Sequence, residues 1–271
     1  MSIIEKSLPA STAMANDRIG LQIQSGRNFV KRILITLEVT PEIIKEAIEL
    51  GSDCIITFHP LIFNPILSIT ENERVGQLCS ELIRNNIALV AIHTNFDSFI
   101  GGTSKIFADK LDLINDGFLI PDPSIQSCGM GILAHTKQPV PYLEFIKKVS
   151  EICNSPIRYC EGKNYLIERI AIVGGSGSSF LNDALKSGAD AFITADITYH
   201  TFHRVQGKMM IIDPGHYEME QFVPEGLQKF ISENTGADLE FVKRSKALTN
   251  PVRFFPEENF TKFQQGYLSN N

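Results

Sequence analysis

His216 and Glu220 stand four residues apart, just past the apolar run Met209–Ile212 and the turn formers Pro214 and Gly215. On a helix that spacing puts an imidazole and a carboxylate on one face, which is how a chain presents two ligands to one metal ion. Two earlier segments also carry a ligand-type side chain at the carboxyl end of an apolar strand. Cys54–Phe58 runs into His59 and Pro60, and Leu89–Ile92 runs into His93, with Asp97 four residues on. In an open α/β sheet this edge is where ligands bind. Imidazole and carboxylate without thiolate suit Zn, Mn, Fe or Co.

Each segment also has a plainer reading. His216 and Glu220 could be a capping histidine and a solvated glutamate, and Asp97 could cap the helix that follows His93. Pro60 holds His59 extended, where a lone histidine is commonly a satisfied core residue. The three together favour a metal pocket, because all fall at the ends of strongly apolar strands.

A fourth segment is the loop Gly174-Gly175-Ser176-Gly177-Ser178-Ser179, between an apolar strand and a helix. Its amides, those of Gly175, Ser176 and Gly177 foremost, could cradle a phosphate. It could equally be a tight glycine turn, and it is not the dinucleotide fingerprint, since Phe180 stands where the third glycine belongs. Asp196, just beyond a strand end, is the stronger neighbour for a substrate pocket; His200 and His203 either line it or sit on an exposed helix face.

The elements that must position these residues alternate. Strand Ile33–Leu37 leads to a helix opening at Thr40-Pro41 and ending at Gly51. Strand Cys54–Phe58, helix Glu73–Asn85, strand Ile87–Ile92 and helix Thr103–Leu111 follow, a β-α-β-α-β series that implies a mostly parallel sheet covered by helices. Pro121, Pro123, Pro139 and Pro141 interrupt the rhythm, which places a lobe boundary there, with lobes 1–124 and 125–271. The second lobe resumes with helix Tyr142–Ile152, strand Ile170–Val173, helix Phe180–Ser187, strands Ala191–Thr194 and Met209–Ile212, and helix Glu218–Glu233. No short-period repeat is visible, and residues 264–271 read as a frayed polar tail.

With 271 residues, 43% hydrophobic and 21% charged, the chain has the composition of a soluble globular protein. A net charge of -6 argues against bulk nucleic acid or anionic membrane as a partner. Five cysteines, none in a Cys-x-x-Cys pair, indicate neither a disulfide framework nor a thiolate zinc site and suit a reducing cytosol. The first twenty residues match no secretory or transit signal, and no run is long enough for a membrane span. The expected location is cytoplasmic.

Several segments in order carry a resemblance: Asn16-Asp17-Arg18-Ile19-Gly20-Leu21, Phe58-His59-Pro60-Leu61-Ile62-Phe63, His93-Thr94-Asn95-Phe96-Asp97, Gly129-Met130-Gly131, the glycine loop, Thr194-Ala195-Asp196 and Asp213-Pro214-Gly215-His216-Tyr217-Glu218-Met219-Glu220. The chain resembles the GTP cyclohydrolase I type 2 family, also described as Ngg-interacting-factor-three-like proteins, over about residues 14–245. The resemblance implies two intertwined α/β lobes, a dinuclear metal site in the cleft between them and a ring-shaped homohexamer. By position His59, Asp97 and Glu220 match ligands of one metal and His216 and Glu220 those of the other, so Glu220 would bridge. His93 matches a motif histidine close to the metals, a catalytic candidate that could also be a ligand.

The chain departs from the family at Phe58, where many members have a second histidine, and it lacks the mid-chain inserted domain of some. The resemblance implies a metal-dependent hydrolase using one or two divalent ions on a small molecule such as a nucleotide, with the glycine loop holding phosphates and His93 or His200 moving protons. The alternative is a metal-binding adaptor whose ion cements the lobes.

Overall fold

In the computed structural model, which describes residues 2–236, 238 and 240–254, the chain forms two units. The expected polar tail, 264–271, lies outside these residues. The first unit is Met1–Phe99 with Val223–Thr249, and the second is Ile100–Phe222 with the chain from Asn250 onward. The first stretch contributes α1 (Ser2–Ser7), β1 (Gly20–Ile23), β2 (Ile33–Thr36), α2 (Pro41–Glu49), β3 (Cys54–Thr57), α3 (Arg74–Arg84), β4 (Ala88–Ala91) and α4 (Thr94–Asp97). The second unit follows with α5 (Thr103–Lys110), β5 (Ile114–Pro121), β6 (Gly129–Pro141), α6 (Tyr142–Cys153), β7 (Arg158–Cys160), β8 (Leu166–Ile172), α7 (Leu181–Lys186), β9 (Ala191–Ile193), α8 (Tyr199–Val205), β10 (Met210–Asp213) and α9 (His216–Glu220). The chain then returns to the first unit with α10 (Val223–Thr235) and β11 (Val242–Arg244).

The sheet of the first unit has the order β1-β4-β3-β2-β11, parallel except where β1 runs against β4. Strand residues alternate between its faces. Leu34, Ile55 and Leu89 pack against Ile43, Ile44 and Ala47 of α2 and Leu78, Cys79 and Leu82 of α3. On the other face α10 packs against β2 and β11, with α1 beside it. Thr40 starts α2 as expected, its hydroxyl accepting from Ile43 N–H with Pro41 in the first turn.

The sheet of the second unit, β5-β6-β8-β9-β10-β7, is mixed, which corrects the expectation of mostly parallel sheets. Only β8, β9 and β10 run parallel to one another; β5, β6 and β7 pair antiparallel. The proline-rich stretches taken as a break are a long hairpin. Pro121 ends β5, and Pro139 lies where the β6–β8 register shifts between His135 and Val140, positions where a missing amide costs no ladder bond. The expected boundary at residue 124 falls between the two strands of this hairpin, whereas the chain changes units at Phe99 and Phe222. One face of the sheet, with Ile132, Ile170, Ile193 and Ile212, meets Phe107 of α5 and Phe145 and Val149 of α6. The other, with Ala171, Phe192 and Ile211, meets Leu181 and Ala184 of α7 and Val205 of α8.

The helix expected over Glu218–Glu233 is two helices, α9 and α10. Pro224 explains the break: it lacks the amide that would bond Glu220 O in a continuous helix, and its ring would clash with that carbonyl, whereas in the first turn of α10 it costs no bond. No described helix is long and apolar enough to cross a membrane. All five cysteines are free.

The two units repeat one frame. Aligning Arg32 with Arg169 needs no insertion through Thr57 and Thr194, and it matches Ile33 with Ile170, Ala47 with Ala184, Gly51 with Gly188, Asp53 with Asp190 and Ile56 with Ile193. Lys31 and Arg32 N–H donate to Asp53 Oδ2 at 2.9 and 3.1 Å, and Glu168 and Arg169 N–H donate to Asp190 Oδ2 at 3.0 and 2.9 Å. Ala88 N–H donates to Asp53 O, as Met210 N–H does to Asp190 O. In each unit the strand after this aspartate runs to a threonine, Thr57 at the end of β3 and Thr194 just past β9, and the next strand leads into a His-x-x-x-acid segment.

Burial pushes the Asp53 carboxyl up, but the Lys31 and Arg32 amides and the Arg27 guanidinium hold it below its ordinary value of 3.8. A carboxyl lowered by folding stabilises above its unfolded pKa and loses that contribution as pH falls through its folded one. Asp53→Asn should therefore flatten the acid limb: urea midpoints taken from pH 7 downward should fall less steeply than in the wild type. An unchanged slope would remove Asp53 from this role.

Candidate metal-ligand clusters

In the first unit, β3 delivers Phe58 and His59 one after the other. Their N–H groups donate to Thr36 O and Leu37 O at 3.0 Å each, extending the ladder, and Thr57 Oγ1 donates to His59 O at 3.0 Å. His59 Nδ1 lies 2.9 Å from Glu38 Oε1, on the turn after β2. At the end of β4, His93 precedes α4 and its N–H donates to Asn95 Oδ1. His93 Nδ1 lies 2.9 and 3.0 Å from the two oxygens of Asp17, whose side chain is 3% exposed. The Asp17 carboxylate also accepts from Thr94 N–H and Thr94 Oγ1–H. Burial alone would raise its pKa; His93 and Thr94 hold it well below the usual carboxylate range.

Phe58, 0% exposed, fixes both imidazoles. Its ring centre is 5.1 Å from that of His59 and 5.2 Å from that of His93, and the two histidine rings are 5.4 Å apart, edge to face. The side chain that departs from the family pattern is thus a packing wall without a lone pair. Asp97 closes α4 one turn beyond His93. It does not cap that helix; the acceptor for Thr94 N–H is Asp17.

In the second unit, β10 ends in Asp213, which is 3% exposed. Its Oδ1 accepts from Gly215 N–H and its Oδ2 from Ile197 N–H, both at 3.1 Å, and Arg158 Nη1 lies 3.3 Å away. Burial nevertheless leaves its pKa raised. This aspartate fixes the turn at Gly215 (φ 98°) that starts α9. His216 Nε2 then lies 3.1 Å from Glu220 Oε2, and His216 Nδ1 lies 2.6 Å from Asp196 Oδ2. The Glu220 side chain is 3% exposed. Burial would lower the pKa of His216, but Glu220 and then Asp196 raise it to about 9. Asp196 is raised by burial and lowered by His216 and Ser176, with a net shift downward.

The glycine loop serves this pair directly. A Cβ on Gly175 (φ +59°) would sit 2.4 Å from Glu220 Oε1 and 3.4 Å from the His216 ring, so a larger residue there would be strained and would have to displace the carboxylate. Gly177 N–H donates to Thr194 Oγ1 at 2.8 Å, and Ser176 Oγ donates to Asp196. The helix after the loop is the six-residue α7, preceded by a 3-10 turn at Ser178–Phe180. His200 and His203 lie on the exposed side of α8, with rings 5.5 and 4.6 Å from that of Tyr199.

The first unit therefore gathers His59 and His93 with Asp97 one turn on, and the second gathers His216, Glu220 and Asp196. These donors fit a borderline divalent cation: nitrogen and carboxylate oxygen, one carboxylate deeply buried, and a loop shaped to the pair. Asp17 and Glu38 were missed by sequence reasoning. Asp17 lies inside the Asn16–Leu21 motif, whereas nothing near Glu38 marks it.

The chain matches the family model described as Duf34/NIF3 (NGG1p interacting factor 3) over residues 1–251. It is 34% identical over 258 residues to a Clostridium perfringens protein named GTP cyclohydrolase 1 type 2 homolog, covering 94% of this chain and 97% of that one. A Streptococcus pneumoniae protein of the same name is 32% identical over 256 residues, covering 91% and 95%. Among solved structures, the Staphylococcus aureus hypothetical protein SA1388 matches with a TM-score of 0.86 and 28% identity, covering 94% of this chain and 97% of that one.

Proposed function

Because the chain belongs to the Duf34/NIF3 family, we propose that it is a metal-dependent hydrolase acting on a nucleotide or related heterocycle. The observation that carries this reading is the His216–Glu220 pair, with its buried carboxylate packed directly against the backbone of Gly175. His59, Asp97, His216 and Glu220 are the residues that would hold one or two ions of Zn, Mn, Fe or Co, as the family resemblance implies. Phe58 offers no lone pair, so a second ion would depend on the remaining donors.

A bound divalent ion supplies Lewis acidity and acidifies water to near neutral pH. The chain's own residues do the rest. His93, held by Asp17, is placed to accept or return a proton; Ser176, Gly177 and Asp196 would contact substrate; His200 is the outlying candidate. The name of the relatives points to a purine nucleotide such as GTP and to hydrolysis at an electrophilic ring carbon. A homohexameric ring belongs to the same proposal.

Metal analysis of protein purified without chelators, followed by assay of the metal-replete form against GTP and a nucleotide panel, tests it. Bound metal with turnover is expected. A chain that takes up no divalent metal would overturn it, and full occupancy without turnover would favour the adaptor reading.

A further inference from the structure

Four histidines turn Nδ1 to a carboxylate from a different element; His135 does so to Asp116 across the β5–β6 hairpin, and the other three lie in the candidate clusters. Asp17 lies 2.9 Å from His93 Nδ1, Glu38 lies 2.9 Å from His59 Nδ1, and Asp196 lies 2.6 Å from His216 Nδ1. The partners are distant in sequence and different in burial: Asp17 is almost fully enclosed, whereas Asp196 and Glu38 are open to solvent at one side. An ionised carboxylate only accepts hydrogen bonds, so a ring that faces one must carry its proton on that nitrogen. The other nitrogen, Nε2, is then the one left for the chemistry; in His216 it faces Glu220 Oε2 at 3.1 Å, so the proton it carries there is the one a cation would displace.

From this repeated geometry we infer that Asp17, Glu38 and Asp196 are positioning residues, which fix the rotation of His93, His59 and His216 and keep Nδ1 protonated so that each ring works through Nε2. A carboxylate behind a metal-ligating imidazole does this, fixing the tautomer and making the ring a better donor to the ion. The inference rests on the proposed metal site for its purpose, but not for its geometry. It moves Asp196 from substrate contact to ring support: its carboxylate is engaged by His216 Nδ1 and Ser176 Oγ. It also gives Asp17 a reason to be charged at 3% exposure, where a carboxylate without partners would be costly. Asp17 additionally ties down Thr94, so one group sets both the ring and the first turn of α4.

The test uses the full chain labelled with ¹⁵N in histidine, and zinc affinity measured by competition with a chromophoric chelator. Protonated Nδ1 is expected on His59, His93 and His216 in the unmodified protein. Glu38→Ala, Asp17→Asn and Asp196→Ala should each perturb the Nδ1 signal of their own ring and leave the other two in place. Zinc affinity should fall roughly 10- to 100-fold in Glu38→Ala and Asp196→Ala, the loss typical when an outer partner of a ligand is removed. Both of these carboxylates are solvent-facing, so their removal should leave the unfolding midpoint near the wild-type value. Asp17→Asn keeps the shape of the buried group, and Thr94→Val serves as its control because it removes a hydroxyl bonded to Asp17 while leaving His93 in place. An unprotonated Nδ1 on any of the three rings, or wild-type zinc affinity in both alanine variants, would overturn the inference. If the unmodified chain binds no zinc, the proposed function fails, and the ring signals still decide whether the carboxylates set the histidines.

Discussion

Alanine at Glu220 is expected to lower the affinity for divalent metal by more than the ~100-fold typical of losing an outer-shell partner. Glu220 is enclosed, lies 3.1 Å from His216 Nε2 and is the residue that the family resemblance makes common to both ions. Its loss would remove a donor and leave the space under Gly175 unfilled. Equilibrium dialysis against zinc or manganese reads the effect. Secondary structure should persist, because α9 is short and the sheet core of this unit is built from other side chains. Retention of wild-type metal content by the variant would mean that the acidic ligand lies elsewhere.

Asp213→Ala is expected to act on folding, costing about 2–6 kcal/mol, since two backbone N–H groups each lose a buried acceptor at about 1–3 kcal/mol apiece. The amides are those of Ile197 and Gly215, and the Arg158 guanidinium loses one partner but keeps Ile197 O. The Arg158 contribution should be small, because that side chain is largely exposed. Urea denaturation measures the change. Because Asp213 also sets the turn into α9, metal affinity should fall together with stability. A variant as stable as the parent would show that water replaces the carboxylate without loss.

The three strand ends were legible in the sequence because each joins an apolar run to a side chain that has little reason to be there except chemistry or capping. His59, His93 and His216 all appear where those runs stop. Their carboxylate partners were not legible: Asp17 meets His93 across 76 residues of chain, and only the folded sheet makes them neighbours. The β5–β6 hairpin was misread because proline was treated as a breaker, although at strand ends and irregular registers it removes no ladder bond. The likeness of the two units escaped notice because few side chains match. Gly51 and Gly188 or Asp53 and Asp190 match in the sequence, but only the folded chain shows that each aspartate accepts two amides from the preceding strand.

The return of the chain to its first unit has a consequence for synthesis. Strand β2 pairs with β11, and α10 packs on β2, so the sheet begun by the earliest residues stays open along one edge until the last elements have left the ribosome. The second unit, by contrast, has every strand of its sheet by Asp213. The sheet of the second unit is thus complete at an earlier point of the chain than that of the first, which presents the β2 edge until β11 is made.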